Sequence, residues 1–175
     1  MAAAPHEETP LARAFTLDHQ HLSGRLARLA LAVGDNDPAA ARAIADELDR
    51  TAGGHMEFEE QVLYPQVARV FSSEYAAQLH AEHRVGQAVV RRIQELSQGE
   101  WLSLEEREEL LADLRTVAGH VLSCGTLLSV LESLPVREQD ALFTQLQACR
   151  AGGRRWTQTG AAARPAAIAP GGEAR

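Results

Sequence analysis

Apolar residues recur along most of the chain at alternating steps of three and four, the spacing of one inward helix face. One such stripe runs Phe15, His19, Leu22, Leu26, Leu29 and Val33. A second runs Ile44, Leu48, Ala52, His55, Glu59, Val62 and Leu63, and a third Leu79, His83, Gly86, Val90 and Ile93. The fourth is Leu110, Leu114, Val117, His120, Cys124, Leu128 and Leu131. Local punctuation bounds these stripes. Thr9-Pro10 and Asp37-Pro38 each set a capping side chain before a proline at the first helical position, and Gly34 closes the first segment. Pro65 predicts a kink or an end in the second helix, which runs to about Val70. Ser72 or Ser73 opens the third helix and Gly99 stops it. Ser103 with Glu106 forms a capping box for the fourth, which runs to about Ser133 before Pro135. The pattern predicts an all-α chain: an up-down-up-down four-helix bundle within residues 10–150, ending in a short fifth helix over 136–150. Residues 1–9 read as a flexible start. Residues 151–175, rich in Ala, Gly, Pro and Arg, read as a disordered tail.

Each of the four stripes carries one histidine, and depth along the helices decides whether they meet. His19 lies nine residues from Pro10 and His83 nine from Glu74. His55 lies 17 residues from Pro38 and His120 lies 16 from Leu104, on helices running the other way. At about 1.5 Å per residue the first pair sits roughly 14 Å from one end and the second roughly 24 to 26 Å from the other. In a bundle about 37 Å long these depths nearly coincide. His19, His55, His83 and His120 are therefore expected in one layer, together with Glu59 one turn beyond His55. Four imidazoles and a carboxylate in a dry core cost several kcal/mol if unpaired. A divalent metal removes that cost, and nitrogen with carboxylate donors suits iron or manganese better than a thiolate zinc site. His21 falls toward the flank, His80 falls on the wet side, and His6 carries no signal.

Composition narrows the classes. Of 175 residues 45% are apolar and 23% charged, an ordinary globular mixture, and every one of the 17 basic side chains is arginine. A formal charge of -7 argues against binding nucleic acid by neutralising phosphates. No uncharged apolar run reaches about 18 residues, so no membrane span is expected. Cys124 and Cys149 form no CxxC pair, and the opening residues lack a basic segment followed by an apolar one. A cytoplasmic protein is expected. The chain has no Gly-rich phosphate loop, no nucleophile elbow and no HExxH, and no acid or base is placed for an enzyme.

Three stretches resemble the hemerythrin-like family, the HHE cation-binding domains. They are Asp18-His19-x-x-Leu22, the run His55-Met-Glu-Phe-Glu59-Glu60-Gln-Val-Leu-Tyr-Pro65, and Ala81-Glu82-His83. The second is the most specific, close to the family's His-x-x-x-Glu-Glu-x-x-Leu-Phe-Pro. The resemblance, over about residues 10–134, implies a four-helix bundle with a non-haem, usually di-iron, centre. It implies His19, His55, Glu59, His83 and His120 as ligands, with Glu59 bridging two metals. One or two iron ions are expected, with manganese or zinc as alternatives. Members of the family bind dioxygen or nitric oxide, sense iron or oxygen, or serve in repair of damaged iron centres. The second functional reading is a degenerate, metal-free bundle acting as a protein-interaction or regulatory module with an unknown partner.

The chain departs from the family pattern on its fourth helix. A second His-x-x-x-Glu is usual there, but His120-Val-Leu-Ser-Cys124-Gly125 puts cysteine at the ligand position. Cys124 is either a small apolar filler or a thiolate ligand. Leu79 stands one turn before His83, where hemerythrins carry a further histidine. Asp18 is placed to accept from a ligand imidazole. Glu57 and Glu60 read first as a solvated face, with Glu60 as a partner or gate of the site in second place. Gly53-Gly54 reads as tolerated or as a looser backbone, Arg154-Arg155-Trp156 as solvated or as a docking segment, and Cys149 as incidental.

Overall fold

The structure is a computed structural model that describes residues 8–97 and 101–160. His6, Gly99 and the tail from 161 onward lie outside the described residues. Among the described residues all regular structure is helical: α1 (Pro10–Gly34), α2 (Pro38–Phe58), a π-helical turn (Glu59–Leu63), α3 (Tyr64–Val70), α4 (Ser73–Glu95), α5 (Leu104–Ser123), α6 (Gly125–Ser133), α7 (Val136–Gly152) and a 3₁₀ turn (Trp156–Gln158).

The caps read from the sequence are made. Thr9, Asp37 and Ser72 each accept a backbone N–H three residues on, and Ser103 and Glu106 close a reciprocal capping box. Asn36 exchanges two hydrogen bonds with the backbone of Leu102, Arg42 donates to the Leu96 carbonyl, and Arg107 donates to the Gly34 carbonyl. The end of α1, the start of α2, the end of α4 and the approach to α5 thus gather at one end. At the other, the Thr9 hydroxyl donates to Gln139 on α7, whose amide donates to the carbonyls of Glu132 and Leu134.

Two departures from the expected helices shape the site. Pro65 has no N–H to continue an α ladder, and the chain answers with a π turn whose last bond runs from the Tyr64 N–H to the Glu59 carbonyl. The stretch 104–133 breaks at Cys124, and Leu127, not the expected Leu128, is buried, continuing the alternation of three and four from Val117 through His120 and Cys124 to Leu131. That stretch is long and apolar enough by length and composition alone to cross a bilayer, yet its Leu110, Leu114, Val117, Leu127 and Leu131 are core residues.

The apolar core forms two clusters. One contains Leu22, Met56, Val90 and Val117, the other Phe15, Phe58, Leu79 and Cys124. Each of the four inward histidines sits where its helix passes from one cluster to the other. The tail reading needs correction over its first part. α7 ends at Gly153 in the left-handed conformation (φ 61°), but the chain then folds back, and Trp156 and Thr159 are buried. Composition missed this because one tryptophan among polar residues contributes as much buried surface as several small side chains.

Candidate metal centre

His19, His55, His83 and His120 arrive from α1, α2, α4 and α5 and meet in pairs. The rings of His19 and His55 lie 4.7 Å apart between centroids, and so do those of His83 and His120. Glu59, fully buried at the first position of the π turn, stands between the pairs. Its Oε1 lies 3.7 Å from His19 Nε2 and 3.3 Å from His55 Nε2, and its Oε2 lies 3.1 Å from His83 Nε2. Tyr64 adds a hydroxyl 3.3 Å from Glu59 Oε2, 2.8 Å from His83 Nε2 and 3.4 Å from His120 Nε2. Cys124 Sγ lies 3.4 Å from His120 Nε2.

All four rings are held the same way round. His19 Nδ1 donates to the Phe15 carbonyl (2.9 Å), His55 Nδ1 to Asp18 (3.0 Å), His83 Nδ1 to Glu60 (2.9 Å) and His120 Nδ1 to Glu82 (2.7 Å). These partners only accept, so each Nδ1 carries the proton and, in the neutral ring, each Nε2 turns a lone pair inward. Asp18 is itself fixed by Arg150 at 2.6 Å. This is the arrangement that orients a metal-binding imidazole.

Electrostatics follow from the crowding. Burial alone would raise the Glu59 carboxyl, but His55 and His83 outweigh it and hold Glu59 well below the usual carboxylate range. Burial presses His55 down, yet the Glu59 and Asp18 carboxylates lift it to about 9. His83 is also raised against its burial by Glu59 and Glu60, whereas burial keeps His19 and His120 low. Burial and then the Glu59 charge push the Tyr64 hydroxyl and the Cys124 thiol far up.

The donor set fits a metal. His55 Nε2 and Glu59 Oε1 are fully buried and make no hydrogen bond of adequate geometry, a costly state unless a cation sits between them. Two triads have ligand atoms all within 4.8 Å of one another: His19, Glu59 and Cys124, and Glu59, His83 and His120. They share Glu59. A cleft of about 430 Å³ has His19 in its wall beside Phe15, Ser23, Val121, Leu122 and Leu128. The His83 ring is fully buried, while Glu60 and Thr159 beside it border a second, more polar cleft.

The structure therefore gathers all six sequence candidates, His19, His55, Glu59, His83, His120 and Cys124, in one layer. Asp18 takes the role read for it. Glu60, read first as solvated, instead accepts from His83. Glu82 and Tyr64 were not singled out. The available signals were a tyrosine five residues beyond Glu59 and a carboxylate next to His83. His21 is exposed and His80 packs edge-on against the Tyr64 ring, outside the inner cluster.

A family model of the hemerythrin HHE cation-binding domain matches residues 11–122. No curated protein and no solved structure matches the chain. A match over more than half of the chain, on the segment that brings the four histidines and Glu59 together, makes this protein a member of the hemerythrin HHE cation-binding domain family.

Proposed function

We propose that the chain is a four-helix bundle holding a non-haem iron centre bridged by Glu59, and that it binds or senses a small neutral ligand such as dioxygen or nitric oxide. The observation that carries this reading is the shared orientation of the four imidazoles, Nδ1 donating outward and Nε2 facing Glu59. Nitrogen and carboxylate donors around one buried anion favour a divalent first-row metal. Iron bound there would supply a redox-active centre with room for an added ligand. His19, His55 and Cys124 would hold it on one side of Glu59, and His83, His120 and Tyr64 on the other. The apolar cleft at His19 gives a neutral diatomic a route that disfavours ions. Two free cysteines suit a reducing, cytoplasmic setting.

Protein expressed with iron is compared with a His55→Ala/His83→Ala double variant. The parent should retain up to two irons per chain and the variant close to none. Reduced parent protein should change its optical spectrum on exposure to oxygen or nitric oxide. Equal iron in both proteins would refute the centre, and bound iron with no spectral response would refute the ligand role.

A further inference from the structure

Beyond α7, residues 153–160 fold back across α2 and α4, outside the segment that matches the family. Two buried polar side chains hold them. Asp49 accepts from the Thr157 N–H (2.8 Å), the Thr157 hydroxyl (3.3 Å) and Arg155 (3.2 Å). Gln87 reaches the Trp156 carbonyl (3.0 Å) and both oxygens of Thr159 (2.9 and 3.3 Å). Arg91 donates to the Thr157 carbonyl.

Two glycines, Gly53 and Gly86, make room for this segment, and Gly54 makes room for the end of α7 before it. A Cβ on Gly53 would overlap the backbone of Arg154 and come within 2.7 Å of the Arg155 carbonyl carbon. A Cβ on Gly54 would lie 2.7 Å from Arg150 Cα, and one on Gly86 would overlap Trp156 Cη2 and Cζ2. Gly86 is one turn beyond His83 on the same face, so the Trp156 ring, 6.4 Å between centroids, walls the His83 imidazole. Thr159 Oγ1 lies 3.4 Å from Glu60 Oε1, the atom that accepts from His83 Nδ1.

We infer that residues 153–160 are a docked strap that fixes the orientation of His83, with Trp156 and Thr159 as positioning residues. Trp156 blocks rotation of the ring, and Thr159, whose hydroxyl donates to the Trp156 carbonyl (2.9 Å), packs against the carboxylate that sets its tautomer. Free helices would gain about 1 kcal/mol from alanine at Gly53 and at Gly86, so leaving the Cβ off makes sense as room for the strap. Only the metal arm of the test rests on His83 being a ligand.

The test uses full-length protein carrying Trp101→Phe, which removes a tryptophan that is 74% exposed and leaves Trp156 alone to report docking. Gly53→Ala should red-shift Trp156 emission by undocking the strap. Thr159→Val is the gentler second variant and Thr159→Ser the rescue. In metal-free protein, at a pH high enough for His83 to be neutral, its ring nitrogen signals should show one Nδ1–H tautomer in the parent and in Thr159→Ser. They should show a tautomer mixture in Gly53→Ala and Thr159→Val. In iron-loaded protein, a chelator should strip the two impaired variants on the order of tenfold to a hundredfold faster than the parent. Unchanged emission in Gly53→Ala overturns the docking. Unchanged His83 signals in both impaired variants overturn the positioning role. A parent that takes up no iron refutes the proposed function alone, because the ring signals are read without metal.

Discussion

Glycine-to-alanine exchanges in mid-helix normally stabilise, and Gly86 should behave in the opposite way. The backbone term favours alanine by about 1 kcal/mol at either an exposed or a buried helical site. Gly24, exposed in the middle of α1, has nothing within 4 Å of a built Cβ, so Gly24→Ala should gain that full amount. At Gly86 the same methyl meets two atoms of the Trp156 ring and, at 3.4 Å, Val117 Cγ2. The ring is fully buried and cannot swing away without opening the core. Overpacking of this kind costs about 1–3 kcal/mol. Net stability of Gly86→Ala should thus fall between parental and about 2 kcal/mol lower, and the gap between the two variants should be about 1–3 kcal/mol. At this chain length 1 kcal/mol corresponds to roughly 2–4 °C in Tm. Urea unfolding of metal-free protein, followed by far-ultraviolet circular dichroism and by Trp156 emission with Trp101 replaced, measures both. Equal gains in Gly24→Ala and Gly86→Ala with unchanged emission would refute the packing of Trp156 over Gly86.

Further outcomes follow from single side chains. Cys124→Ala should lower metal retention and remove any sulfur-to-iron charge-transfer band, while Cys124→Glu should bring the iron count closer to two; an unchanged count and spectrum in the alanine variant would make Cys124 a filler only. Tyr64→Phe should abolish a visible phenolate-to-iron band in ferric protein, and its persistence would rule Tyr64 out as a donor. Asp49 is buried, which alone would raise its carboxyl, but the Thr157 N–H, Gln94, the Thr157 hydroxyl and Arg155 hold it below the usual value. Its stabilisation is therefore complete above an ordinary aspartate pKa, near 4, and is lost as pH falls through the lower folded value. Trp156 emission should stay blue at neutral pH and shift red below about pH 4, and Asp49→Asn should shift it already at neutral pH, weakening the strap by about 1–3 kcal/mol. If the acid shift is the same in Asp49→Asn, the anchor is elsewhere.

How much of this was readable before the structure depends on where each residue stands relative to the helical stripes. The inward layer of His19, His55, Glu59, His83 and His120 was legible because caps fix the helix starts and a rise of about 1.5 Å per residue converts position into depth. Glu60 and Glu82 were not, for a reason built into the geometry. A group that accepts from an outward Nδ1 must lie at the edge of a stripe, between helices, where periodicity ranks it as surface. Leu127 takes the place expected for Leu128 because steps of three and four both lead on from Cys124, and spacing alone does not choose between them. The strap was missed by composition, although Gly53 of α2 and Gly86 of α4 were a trace of something packed against the backbone. Their meaning depends on Arg154 and Trp156, far along the chain and beyond any local pattern.

The π turn explains how a chain lacking the usual fourth-helix carboxylate still fills the space beside Glu59. In an α-helix successive residues turn by about 100°, so positions five apart diverge by about 140° and could not serve one site. Pro65 cannot donate to the Gln61 carbonyl, which makes a regular ladder at this point poor. The wider turn relieves that conflict and aligns residues five apart, so the Tyr64 N–H bonds the Glu59 carbonyl and the Tyr64 hydroxyl reaches Glu59 Oε2. On the opposite side α5 ends at Cys124, and a cysteine side chain is shorter than a glutamate by an entire carboxyl reach. The oxygen beside His83 and His120 consequently comes from Tyr64 of α3, one turn beyond Glu59. A helix defect at one proline thus sets a hydroxyl where the chain lacks a fourth-helix carboxylate, and π turns recur at functional sites.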